Sequence, residues 1–403
     1  MLNFEQARQK VIDEVSKRGG AIARESVGLW EALGRVLAQE ICADRDYPPF
    51  DRATRDGYAA RAAEVKPGGW LRCAGEIKAG EEPGAALSPG TCVQIMTGAA
   101  IPGGADAVVM IERTARSNDE VSFTGPAETG QNIVPRGSEA RAGEKLLGPG
   151  ARLGFAEMAL AAQVGAARLE VVKRPRVAIL STGDEIVRIE EVPGPFQIRN
   201  SNAVSLAAQT RLAGGEPVLV GHAADREDDL REKIRKGLRE PILVLSGGVS
   251  AGRYDLVEDV LRGLGAEFYF DAVAMRPGRP TVFGRCGDTF VFGLPGNPVS
   301  TMVTFELFVS PAMDVLSGAA ARPLPLAEAR LGKAVREKPG LTHFLPARVE
   351  RGGGMAEVTP LGWKGSGDVA AVARANCFLV VPQGKEKLEA GESVSILLQK
   401  DLV

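Results

Sequence analysis

The sequence predicts a multidomain α/β and β protein. A doubly wound α/β domain is flanked by helical and β N-terminal domains and by a C-terminal β barrel or sandwich. Three observations carry this prediction. From Arg174 to about Leu316, apolar strand-like runs alternate with helical patterns. Three of those runs, Val177–Leu180, Ile242–Leu245 and Phe290–Leu294, end in loops of small residues: Ser181-Thr182-Gly183-Asp184-Glu185, Ser246-Gly247-Gly248-Val249-Ser250 and Pro295-Gly296-Asn297-Pro298-Val299-Ser300. Elsewhere the chain carries short β-type runs broken by Gly and Pro turn signals.

The chain opens as a helix, with Asn3 as its cap, Gln6 three residues on, and Phe4, Ala7, Val11 and Val15 on one face. A second helical pattern is expected over about Leu29–Glu40, with Leu33, Val36 and Leu37 as its buried stripe. After Pro48-Pro49, residues 51–133 are rich in Gly, Pro and short β runs, and helical periodicity returns at Phe155–Val164. This order predicts a discontinuous N-terminal helical domain (1–45 and 140–173) interrupted by an inserted β domain (46–139). Residues 174–322 form the α/β domain. Its helices are marked by Val204, Leu206 and Leu212, by Leu230, Ile234 and Leu238, and by Leu256 to Leu264 with Gly265 behind them. Residues 323–403 return to short apolar segments and form the C-terminal β domain.

The 403 residues exceed one ordinary core, and 44% hydrophobic with 25% charged residues is a soluble globular composition. A net charge of -2 supplies no basic field for nucleic acid, so an anion site has to be local. The five cysteines form no CxxC pair and the two histidines are isolated. Zinc-ligand spacing is therefore absent, a disulfide framework is not expected, and a Ser-His-Asp mechanism is disfavoured. The N-terminus lacks a signal pattern and no run of about 18 apolar residues occurs, so a cytosolic location is the default expectation and no membrane partner is expected.

Small residues at strand ends let backbone N–H groups approach an oxyanion, and a following helix adds partial positive charge. Thr182, Gly183, Ser246, Gly247, Gly248, Ser250, Pro295, Gly296 and Asn297 are therefore expected to line one crevice for a phosphate-bearing ligand. Asn297 has a competing role, ending a strand and starting a helix.

These residues resemble the core of MoeA-type molybdopterin molybdenumtransferases, the insertase unit that gephyrin and its plant relatives also carry. The resemblance rests on Ser246 through Gly252, on Met275-Arg276-Pro277-Gly278-Arg279-Pro280 and on Gly293 through Ser300. It extends to Glu31 through Ala38, Asp51 through Ala59, Met96-Thr97-Gly98-Ala99, Gly104 through Val109 and Gly130-Gln131-Asn132-Ile133, in order along nearly the whole chain. It implies an enzyme that inserts molybdate into adenylylated molybdopterin and releases AMP, assisted by Mg2+. It also implies a homodimer whose site lies between the α/β domain of one subunit and the β insert of the other.

Glu185, Asp225, Asp255 and Asp56 are the candidate catalytic carboxylates, the first three also as ligands of Mg2+. Helix capping is the competing reading of such carboxylates, above all for Asp225. By resemblance, Arg276 and Arg279 hold the oxyanion, where most of the family carries lysine; arginine keeps the charge but offers a planar fork. Arg348 and Ser366 resemble further oxyanion contacts, and Thr97 could bond the pterin or merely close a turn. The segment Arg52-Ala53-Thr54-Arg55 departs from the family's usual Asn-Ser-Ala-Met. Two other functions remain open at this level: the adenylyltransferase step on a related α/β domain, and a non-catalytic molybdopterin-binding scaffold.

Overall fold

The computed structural model describes residues 1–18, 23–248, 256–350 and 355–399. Its centre is a six-stranded sheet in the order Glu216–Ala223, Arg176–Thr182, Ile242–Ser246, Thr289–Leu294, Val282–Cys286, Glu267–Phe270. The first four strands are parallel and the last two antiparallel. Both faces are buried, as the near-continuous apolar runs require. Val177, Ile179, Val244 and Phe292 point to one core, with Leu206 and Val299 from the covering helices. Ala178, Leu180, Leu245 and Val291 point to the other, with Leu230, Ile234, Val257 and Val260. Leu206 is the buried anchor of helix Ser201–Leu212, whereas Val204 and Leu212 face outward.

The first helix, Phe4–Ser16, carries the expected capping box between Asn3 and Gln6 and buries Phe4, Ala7, Val11 and Val15. That face packs onto the α/β core, and the Phe4 ring meets Phe344 edge-on at 5.3 Å. The rest of the N-terminal segment is joined chiefly by strands, Arg24–Gly28 with Arg168–Val172 and Ile41–Cys42 with Lys145–Leu147. It is thus less helical than its periodicity predicts. The helix expected over Leu29–Glu40 reduces to one 3-10 turn, Leu29–Glu31. Gly34 takes φ +74, Leu33 turns outward, and Val36 and Leu37 bridge to Arg152 and Val171 instead. Those bridges satisfy the backbone without a helix and still bury Val36 and Leu37.

Residues 57–123 form a six-stranded sheet in the order Ala107–Met110, Gly57–Ala60, Thr91–Ile95, Trp70–Ile77, Glu120–Phe123, Thr114–Ser117. It has cores of its own around Tyr58, Phe123 and Val121 and around Ile95 and Val108. At the C-terminus five strands close into a barrel: Thr342–Glu350, Glu357–Pro360, Leu326–Leu331, Ser393–Leu398 and Cys377–Val381, the last pairing back to the first. Met275–Arg276 adds to the barrel beside Thr342–His343.

Among the described residues one helical stretch, Pro298–Leu316, is long and apolar enough to cross a membrane, but 78% of its apolar window is buried inside the protein. It contains a π turn, Phe305–Val309, just ahead of Pro311, whose missing N–H cannot bond the carbonyl of Leu307.

Candidate functional site

At the carboxyl ends of the parallel strands lies a crevice of about 540 Å3. All three small-residue loops reach it: Thr182, Gly183 and Glu185 from the first, Ser246, Gly247 and Gly248 from the second, Pro295, Gly296 and Asn297 from the third. It sits at the strand-order reversal, with Arg176–Thr182 between Glu216–Ala223 and Ile242–Ser246. Ser250 and Asp255 lie outside the described residues.

The loops are locked to one another. Gly247 N–H donates to Leu294 O at 3.1 Å. Gly248 takes φ +64, and a Cβ there would come within 2.7 Å of Thr182 Oγ1, so a side chain at this position would collide with the end of the first strand. Asn202 Nδ2 donates both to Ser246 Oγ (2.8 Å) and to Gly296 O (2.7 Å), tying helix Ser201–Leu212 to the second and third loops. Asn200 caps the same helix and accepts from Ser181 Oγ at 3.1 Å. Thr182 Oγ1 and Asn202 Oδ1 are buried without a hydrogen-bond partner among the described residues. A buried oxygen left unpaired is costly, so both fit a ligand that supplies donors. Asn297 makes no side-chain cap bond to the helix it precedes, and among the described residues its amide has no hydrogen-bond partner.

Three carboxylates crowd the first loop. Asp184 Oδ1 accepts from Asp225 N–H at 3.1 Å. The Asp225 carboxyl is pushed above the ordinary carboxylate range by partial burial, then by repulsion from Asp184 and Glu185. The capping reading of Asp225 fails, because Arg226 holds the cap position of helix Glu227–Gly237 without a side-chain bond, and it is Asp229 that bonds Ala224 N–H. Among the described residues no three His, Cys, Asp or Glu groups are arranged to hold a metal. That is compatible with magnesium, which is commonly bound by one or two carboxylates, its substrate's phosphates and retained water. His222 Nε2 lies 2.6 Å from Gly183 O.

Arg276 and Arg279 are exposed, and among the described residues neither side chain has an ion pair or hydrogen-bond partner. Pro280, next to Arg279, lines the crevice. Ser366 O accepts from Val299 N–H at 2.9 Å, which brings Gly367 of the C-terminal domain to the crevice. Arg348 is not brought there; it is exposed on its barrel strand and pairs with Glu350 at 3.0 Å. Asp56 and Thr97 do meet each other, the N–H and Oγ1 of Thr97 both donating to Asp56 Oδ1 at 2.7 Å, but neither lines the crevice of its own chain.

Sequence reasoning missed Asn200, Asn202, His222 and Asp184. Asn200 carried a usable signal, since an Asn ahead of a helical pattern marks a cap. The other three act through contacts between distant segments and carried none.

Comparison with known proteins adds three matches in order. Residues 2–165 match the MoeA N-terminal region (domain I and II), 178–315 a probable molybdopterin binding domain, and 328–398 the MoeA C-terminal region (domain IV). Over 387 residues, 94% of this chain and 90% of the relative, the sequence is 36% identical to a Bacillus subtilis protein named molybdopterin molybdenumtransferase. A Nostoc protein of the same name is 35% identical over 93% of this chain and 88% of the relative. Two crystal structures of molybdopterin biosynthesis MoeA protein from Pyrococcus horikoshii are similar. One has TM-score 0.75 and 34% identity, covering 97% and 98% of the two chains. The other has TM-score 0.82 and 29% identity, covering 99% and 100%.

Proposed function

The chain belongs to the MoeA family of molybdopterin molybdenumtransferases, and from that premise we propose how its α/β crevice carries out the transfer. The enzyme inserts molybdenum into molybdopterin in molybdenum cofactor biosynthesis. The observation that carries the reading is the convergence of three small-residue loops and two orphaned buried oxygens on one crevice, with Arg276 and Arg279 on the segment that leads to Pro280 in its wall.

The substrate is adenylylated molybdopterin. The backbone N–H groups of Gly248 and Gly296 cradle its phosphates, those of Gly183 and Gly247 being bonded to Ala223 O and Leu294 O, and Ser246, Thr182 and Asn202 bond its polar groups. Arg276 and Arg279 neutralise molybdate beside it, and the Ser366 turn closes the mouth. Glu185 and Asp225 would hold Mg2+, with Asp255 a further candidate outside the described residues. The cation would polarise the phosphoryl group as AMP leaves. The protein's own work is positioning two anions side by side and offsetting their repulsion.

Asp56 and Thr97 complete the site from a second subunit. The exposed apolar surface supports dimerisation: Trp30 and Phe155, 91% and 89% exposed, belong to adjoining elements of the N-terminal segment.

The test is turnover by purified protein with adenylylated molybdopterin and magnesium, with and without molybdate. Molybdate-stimulated AMP release that yields metal-loaded cofactor is the expected result. Tight binding without turnover would indicate a scaffold, and ATP consumption without molybdate would indicate an adenylyltransferase.

A further inference from the structure

A second cavity, about 670 Å3, lies at the opposite end of the central sheet, under the amino ends of the strands that start at Arg176, Ile242 and Thr289. Its size falls within the range of about 300–1,000 Å3 typical of small-molecule sites. Five cations line it: Arg18, Lys173, Arg174, Arg176 and Arg239. Two carboxylates do so as well, and both are already engaged. Glu240 is gripped by Arg176 through two bonds of 2.8 and 2.9 Å, and Asp288 pairs with Arg285 at 3.2 Å. The remaining cations, Arg18, Lys173, Arg174 and Arg239, have no carboxylate partner among the described residues; Arg174 reaches only the carbonyl of Gly214, at 3.5 Å.

Dipole compensation is the plainest alternative role for these charges. Three helices end at the cavity: Phe4–Ser16, Glu227–Gly237 and Ser310–Leu316. A helix carboxyl end carries about half a negative charge, so three offset roughly one and a half of the four unpaired cations. Two of the carbonyls beside the second helix, those of Leu238 and Glu240, are moreover already bonded by Thr289 Oγ1, at 2.9 and 2.8 Å. An excess of positive charge remains. Arg174 is partly desolvated, and beside it the repulsion of Arg35 is opposed by Glu25, the ion-pair partner of Arg35. The rest of the wall is apolar, with Val15, Pro175, Pro241, Val315 and Leu316.

We propose that this cavity binds a phosphomonoester dianion with a flat or apolar body, its phosphate held by Lys173, Arg174 and Arg239 and its body against the apolar wall. Guanidinium forks and an ammonium suit a tetrahedral dianion. A concave site of this size suits a small molecule. The inference goes beyond the proposed function and does not depend on it, because no residue of this cavity belongs to the crevice.

The test uses the full chain and a local readout, so that binding in the crevice does not interfere. Acetylation of Lys173 by an amine-reactive reagent is followed by mass spectrometry in the presence of AMP, adenosine or inorganic phosphate at equal ionic strength, with exposed Lys66 as the reference. AMP is expected to slow Lys173 labelling saturably, and adenosine and phosphate to do so only at higher concentration. In an Arg174→Gln/Arg239→Gln variant with unchanged melting temperature, the AMP concentration needed should rise roughly tenfold or more. Absence of saturable protection, protection by phosphate equal to that by AMP, or protection unchanged in the double variant would each overturn the assignment.

Discussion

Ionised Asp225 is a burden on the folded chain. Partial burial and the charges of Asp184 and Glu185 raise its folded pKa above the unfolded value. Between the two values the folded state binds the extra proton, so stability falls as pH rises through that window. Asp225→Asn is therefore expected to raise the melting temperature at about pH 7 without divalent cation, and the gain should vanish below the ordinary carboxylate range. The same variant should lose magnesium-dependent turnover; thermal melts and the coupled AMP assay read the two effects. Asp56 behaves in the opposite sense. Thr97 N–H and Oγ1 hold its carboxyl below the ordinary range. The stability it lends is present above the unfolded pKa and lost as pH falls through the folded one. Thr97→Val, which keeps the backbone donor, should move Asp56 part of the way back, as a carboxyl-carbon NMR titration would register. At Gly183, φ is +129 and a Cβ would stand 2.5 Å from Glu185 Oε2, so Gly183→Ala should cost about 1–3 kcal/mol and displace the Glu185 carboxylate. Glycine and the loop serines could be recognised in the sequence because their chemistry narrows their use. Asn202 could not, since its two acceptors lie 44 and 94 residues away.

At the scale of single elements, legibility followed locality. The first helix was readable because its cap and its apolar stripe lie within thirteen residues and agree. Residues 29–40 carry a similar stripe, yet they pair with segments more than a hundred residues on, and Gly34 turns the chain between them. Tertiary pairing there overrode local period. The strand ends of the crevice were readable for the opposite reason, because buried parallel strands must be apolar throughout. Helix Ser201–Leu212 is the element most exposed to a single change. Asn202→Ala removes its ties to the second and third loops, keeps only the Asn200–Ser181 bond to the first, and leaves Gly296 O and Ser246 Oγ to seek other partners. A loss of about 1–3 kcal/mol in denaturant unfolding is expected, with KM raised more than kcat is lowered.

For the whole molecule, the order of the parts was legible, whereas the way they interlock was not. Turn signals announced the β insert and the C-terminal β domain, but barrel closure depends on the pairing of Cys377–Val381 with Thr342–Glu350, a long-range register that no local pattern encodes. If Asp56 serves the partner's crevice, mixing inactive Asp56→Ala protomers with inactive Asp225→Ala protomers should restore up to about a quarter of wild-type activity, since random exchange gives half hybrids with one intact site each. Failure of hybrids that demonstrably form would confine the site to one chain. The barrel, finally, limits how this protein can be recombined. Met275–Arg276 is hydrogen-bonded as a strand of the barrel sheet, while Pro280, four residues later, lines the crevice, and Ser366 is fastened to Val299. The cationic segment is thus shared property of two folding units. A chimera that grafts a foreign C-terminal domain after residue 322 would inherit the loops but not the frame that aims the arginines. Modules of this chain are exchangeable only when the strand beside Thr342 is exchanged with them.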